Sequence, residues 1–274
     1  MRKTICVILI LILAAIMVFS GYQIFRELKM QKESADIYTD LEDFIDNPEE
    51  TDGVPDETQS GETEAVTVGP TIDFAGLKEI NDDCVAWIYI EDTVINYPVL
   101  QGSDNAYYLK HLIDGKWNSS GSIFLDSRVN ADQSDRHSII YGHHMKNGSK
   151  FSGLAQYKKQ AYYDEHPTGL LITPEQTYRI EFFAGYVASV EDPAWKIGFE
   201  SDEEYEDWLK DIKEHSVFTS SIIPAVTDKV VTLSTCSYEF DNARFVLHAV
   251  KYSLQGTTQG RYLTGGVPPV RFSM

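Results

Sequence analysis

The chain has 274 residues, 42 acidic against 23 basic side chains, a formal net charge of −19 and 43% hydrophobic residues. Apolar content of this order allows a sizeable core in one large domain or two small ones. The acidity excludes nucleic acid as a partner, since phosphate binding needs clustered Lys and Arg, and any membrane attachment must be hydrophobic.

Met1-Arg2-Lys3 precedes an unbroken apolar run over 4–19, continued by Ser20-Gly21-Tyr22-Gln23-Ile24-Phe25. About 20 such residues are near the lower limit for a membrane-spanning helix. Val18-Phe19-Ser20 makes a poor small-x-small cleavage site, so residues 1–25 are read as an uncleaved anchor and not as a signal peptide. Arg26, Lys29 and Lys32 flank the far side, but a short basic N-terminus ahead of a large domain favours N-in, C-out.

Residues 26–70 read as an acidic linker, with thirteen acids and no Lys or Arg over 33–70. Ile37, Leu41, Phe44 and Ile45 mark a short amphipathic helix within it. Beyond them, 47–70 is rich in Glu, Asp, Thr, Gly and Pro and cannot bury enough surface to order itself; its like charges extend it as a tether. The tether is expected to be dispensable in solution, a chain from about Ile72 onward, without residues 1–70, still folding and cleaving peptide.

The main domain is expected over 71–255, with a C-terminal tail of no assigned role over 256–274. After one or two helical turns at Phe74, Leu77 and Ile80, strands are predicted at 85–90, 95–99, 121–125, 138–141, 169–172, 178–189, 229–234 and 244–252. Gly, Asn and Asp clusters separate several of them. Some eight short strands favour a barrel or sandwich over a parallel α/β sheet. One helix is predicted over 201–215: Ser201 and Glu204 form a capping box, and Tyr205, Trp208, Leu209 and Ile212 make one apolar stripe for core packing.

Three cysteines do not make a disulfide framework. Cys6 lies in the apolar run, and the unlike contexts of Cys84 and Cys236 suggest one packed thiol and one reactive thiol. Cys236 ends a β-rich run, and Arg244 opens the next strand. Paired as an antiparallel hairpin, the two would share one sheet edge, where a guanidinium favours a thiolate and can donate to an oxyanion. On spacing alone, a buried structural cysteine explains Cys236 equally well. Of seven histidines, His143 follows a strand-ending Gly142 and is placed to project from a sheet rim as a base. His144 alternates away, and His248 lies about 13 Å along the Arg244 strand. His143-His144 has no partner pair at zinc spacing, so no metal and no other cofactor is expected.

Thr232-Leu233-Ser234-Thr235-Cys236 with Arg244, together with Ile140-Tyr141-Gly142-His143, resembles the catalytic signature of sortases. Pro98-Val99-Leu100-Gln101-Gly102, Asn105-Ala106-Tyr107-Tyr108-Leu109 and Gly121-Ser122-Ile123-Phe124-Leu125-Asp126 resemble class B of that family, as does the 201–215 helix; the likeness covers about 74–252. The resemblance implies a mainly β fold, a closed eight-stranded barrel with peripheral helices behind an N-terminal transmembrane helix. It implies a membrane-anchored, extracellular cysteine transpeptidase that cleaves a sorting signal after Thr. The acyl group would be held as a thioester and passed to a peptidoglycan or pilin amine. It makes Cys236 the nucleophile, His143 the general acid/base and Arg244 the oxyanion or peptide-positioning group, with Asn105, Leu109, Tyr141 and Ser234 lining the peptide groove. Sorting motifs in the class include Asn-Pro-Gln-Thr-Asn. Two other readings stand beside it: a hydrolytic cysteine protease using the same thiol, and a non-catalytic barrel that binds peptide or wall polymer.

Overall fold

The computed structural model describes residues 2–46 and 69–254; the tether over 47–68 and the tail over 256–274 lie outside the described residues. Eight strands, β1 (Cys84–Tyr89), β2 (Asn96–Leu100), β3 (Ile123–Leu125), β4 (His137–Tyr141), β5 (Thr168–Ile172), β6 (Thr177–Ala188), β7 (Lys229–Cys236) and β8 (Arg244–Ser253), close on themselves. The order around the barrel is β8-β6-β5-β1-β2-β3-β4-β7. Neighbours are antiparallel except β2–β3 and β4–β7, which run parallel. This is the closed eight-stranded barrel expected from the sequence, with strand ends shifted by two residues or fewer.

The period of two along each strand decides which side chains fill the barrel. In β8, Phe245, Leu247 and Ala249 point inward to join Ile88, Val99, Leu125, Ile140, Phe182 and Leu233, all fully buried. The alternate residues Val246 and Val250 face outward. Of the helices α1 (Arg2–Asp40), α2 (Phe74–Ile80), α3 (Gln160–Glu165) and α4 (Asp202–Glu214), α4 covers them there with Tyr205, Trp208, Leu209 and Ile212. Strands covered on both faces carry near-continuous apolar runs, as β7 and β8 do. Ser201 caps α4 as predicted, its hydroxyl accepting from Glu204 N–H at 3.1 Å.

The N-terminal segment differs from the linker picture. A single helix, α1, spans Arg2–Asp40, and a 3-10 turn over Leu41–Phe44 continues it. No residue between 26 and 40 breaks a helix, and Glu27, Leu28, Lys29, Met30 and Lys32 all favour one. The first half is apolar and uncovered by protein. By length and composition it is a candidate membrane span, although a signal sequence near an N-terminus meets the same test. The second half lies on the barrel. Asn118 Nδ2 donates to Met30 O at 2.9 Å, Leu41 is buried, and Ile45 pairs with Ile72 in a two-residue antiparallel bridge. Of the amphipathic residues expected in the linker, Ile37 thus lies in the docked end of α1, and Leu41, Phe44 and Ile45 in the turn and bridge that follow it.

Candidate active site

β7 and β8 form the hairpin that the sequence suggested. Arg244 stands directly opposite Cys236, and Ser237 N–H donates to Ala243 O at 2.9 Å just beyond. Directly opposed residues of an antiparallel pair have Cβ atoms about 4.5–5.5 Å apart on one face. The Arg244 guanidinium is held by donating Nη1–H to Ala243 O at 3.0 Å. The connecting loop is pinned by Lys158, which pairs with Glu239 and donates to Ser237 Oγ at 3.0 Å.

The parallel neighbour β4 delivers the histidine. Tyr141 is in register with Ser234, Gly142 N–H donates to Ser234 O at 3.0 Å, and Thr235 Oγ1 donates to Gly142 O at 2.8 Å. Two residues past that register lie His143, just beyond the end of β4, and Cys236, the last residue of β7, at the same barrel rim. Gly142 is required for this approach: a Cβ there would come within 2.4 Å of Ile123 and 2.7 Å of Phe151. His143 Nε2 lies 2.7 Å from Leu109 O. A carbonyl can only accept, so Nε2 carries a proton, and Nδ1 is the nitrogen left to exchange one.

The other histidines are engaged elsewhere. His144 packs edge-on against Tyr238 at 5.2 Å, and His111 stacks on Tyr107 at 3.9 Å. The Thr232 hydroxyl lies 2.7 Å from both His137 Nε2 and His248 Nδ1, beneath α4. Burial pushes His137 down to about 4 and His248 well below its usual value, so both are neutral packing residues. The three thiols are free. Cys84 is fully buried, which pushes it up to about 12 and leaves it protonated, whereas Cys236 is half-buried at the rim.

The four residues assigned to the groove fall around this rim. Leu109 is exposed and offers its carbonyl to His143. Tyr141 is half-buried and donates its hydroxyl to Asp126 Oδ2 at 2.9 Å. Ser234 is buried beside it in the sheet. Asn105 accepts from Ser127 N–H at 2.8 Å and also hydrogen-bonds the Asp126 carboxylate.

Asp126, overlooked in the sequence, therefore joins Asn105 to Tyr141. Nothing local marks it except the Asp-x-Arg spacing to Arg128, which donates to both of its oxygens at 2.9 and 2.7 Å. Burial alone would raise this carboxyl, but the bonds from Arg128 outweigh it and hold the pKa at about 2. A carboxylate depressed in this way stabilises the fold fully above its ordinary value near 4 and ceases to do so as pH falls through about 2. Asp126→Asn is expected to cost about 1.5–3 kcal/mol at neutral pH, the scale for hydrogen bonds to a charged group. The difference from wild type should shrink between pH 4 and 2, which denaturant midpoints measured across that range will check.

A family model described as Sortase domain matches residues 88–252. A curated relative, Sortase B of Listeria monocytogenes, is 33% identical over 233 residues, covering 85% of this chain and 90% of the relative. Among solved structures, the Staphylococcus aureus sortase B-substrate complex superposes with a TM-score of 0.63 at 33% identity, covering 66% of this chain and 84% of that one. A sortase B structure complexed with triglycine gives a TM-score of 0.63 at 34% identity, with 66% and 85% covered.

Proposed function

The chain belongs to the sortase family, as a cysteine transpeptidase of the sortase B type, and we propose that Cys236, His143 and Arg244 are its catalytic residues. The observation that carries this reading is the direct pairing of Cys236 with Arg244, with His143 brought to the same rim by the β4–β7 register. In the proposed reaction, Cys236 passes its proton to His143 and the resulting thiolate adds to the Thr carbonyl of a sorting signal. Arg244 donates to the oxygen as it gains charge. His143 gives its proton to the departing amine, the C–N bond breaks and a thioester remains. An incoming amine then loses a proton to His143, attacks the thioester carbonyl and expels the thiolate, which restores the enzyme. The acceptor is a primary amine of a peptidoglycan precursor or a pilin, a reading supported by the sortase B structure complexed with triglycine. Asn105, Leu109, Tyr141 and Ser234 line the groove for the signal peptide, held in shape through Asp126.

In this reading α1 anchors the chain in the cell membrane with the barrel outside, and resistance of the protein to alkaline extraction from membranes tests the anchor. Transfer itself is tested by supplying triglycine during cleavage of an Asn-Pro-Gln-Thr-Asn peptide. Mass spectrometry should show product moving from the free acid to the triglycine amide as the amine rises, along with an acyl-enzyme adduct on Cys236. Rapid hydrolysis with no amide at any triglycine concentration would leave only a cysteine hydrolase.

A further inference from the structure

The loop that carries His143 leaves β4 and folds back on itself. Phe151 N–H donates to His143 O at 3.1 Å, and His144 bridges antiparallel to Lys150. Lys150 holds the returning leg. Its backbone has φ 59° and ψ −134°, a left-handed conformation that a residue other than glycine keeps only where its surroundings over-determine it.

Those surroundings include the docked end of α1. Lys150 N–H donates to Tyr97 Oη at 2.9 Å. The side chain runs inward, 1% exposed, and sets Nζ 3.2 Å from the centre of the Tyr38 ring and 5.2 Å from that of Tyr97. Nζ has no hydrogen-bond partner among the described residues and burial pushes it well below the usual lysine value, so close packing against the two aromatic rings, themselves edge-to-face at 5.2 Å, is what holds it there. Tyr38 is fixed in turn by donating to Ser122 Oγ at 3.3 Å.

We propose that Lys150, clasped between Tyr38 of α1 and Tyr97 of β2, is a positioning residue for His143. The end of α1 thereby takes part in catalysis as well as tethering the barrel, contrary to the expectation that residues 1–70 are dispensable for cleavage. This inference rests on His143 being the general acid/base. Lys150 acts by fixing the leg to which the His143 backbone is bonded. A misplacement of about 1 Å in such a group costs about 100-fold in rate.

The test uses full-length protein in detergent micelles and compares Tyr38→Leu, Tyr38→Phe, Lys150→Met and His143→Ala. Cleavage of an Asn-Pro-Gln-Thr-Asn peptide gives kcat and KM, and alkylation of Cys236 by iodoacetamide across pH reports on the thiol without any peptide. Tyr38→Leu and Lys150→Met are expected to lower kcat about 10-fold with KM within twofold. Their alkylation profiles should move toward that of His143→Ala. Tyr38→Phe keeps the ring face and should stay within twofold of wild type. Lowered melting temperatures with unchanged kcat and alkylation profile would make the clasp purely structural and overturn the proposal, as would equal losses in Tyr38→Phe and Tyr38→Leu. Should Tyr38→Leu not fold, Lys150→Met decides by the same criteria. If His143→Ala itself leaves both turnover and the alkylation profile unchanged, the acid/base reading is what fails.

Discussion

Cys236→Ala is expected to abolish turnover, by about 10⁶-fold if the thiol acts as one member of an interdependent catalytic set. The barrel should survive the change. Cys236 is half-buried at the last position of β7, its backbone pairing with Arg244 does not involve the thiol, and removing one sulfur there opens no enclosed cavity. The melting temperature should therefore stay close to wild type while peptide cleavage and the acyl-enzyme adduct both disappear. His143→Ala should be nearly as severe, because departure of the amine needs a proton donor at the rim. His144→Ala should be mild, since that ring is packed on Tyr238. Fatal loss on removing His144, with His143 dispensable, would show that the wrong histidine had been assigned.

Arg244→Ala is expected to lower kcat/KM by about 10²–10³, the scale for removing one donor to a developing oxyanion. The loss should fall mainly on kcat, because a charge that appears only in the transition state adds little to ground-state binding. Arg244→Lys should recover part of it: the ammonium restores the charge but lacks the planar fork of donors. Steady-state kinetics of both variants separates the possibilities. A rise in KM with kcat unchanged would move Arg244 from the oxyanion to peptide binding. The guanidinium now donates to Ala243 O, and in this role it exchanges that partner for the oxyanion beside Cys236.

Much of this arrangement could be read along the chain because it depends on local pattern. Short runs rich in β-branched and aromatic residues, several set apart by Gly, Asn and Asp clusters, marked the strands, and the Ser201–Glu204 capping box with its 3.6-residue stripe marked α4. The spacing from Cys236 to Arg244 fits a hairpin, and Gly142 before His143 marks the end of a strand at a rim. Each of these signals is carried by residues within about ten positions of one another, so backbone preference and side-chain alternation suffice to encode them.

Other features join distant parts of the chain and left no local trace. The amphipathic residues Ile37, Leu41, Phe44 and Ile45 announced an apolar face, but only the barrel surface decided that the face would dock and extend α1 to Asp40. Tyr38 meets Ser122 across 84 positions, and Asp126 ties Asn105 to Tyr141. The parallel register of β4 with β7, which brings His143 to the rim of Cys236, is likewise a matter of barrel closure. By itself the sequence determined the strands, the α4 helix, the apolar N-terminal helix and the nomination of Cys236, His143 and Arg244. The tertiary structure alone decided which strands became neighbours, what covers Lys150 and which carboxylate ties Asn105 to Tyr141. Such contacts are selected by the total packing and polar satisfaction of the folded chain, to which no single segment holds the information.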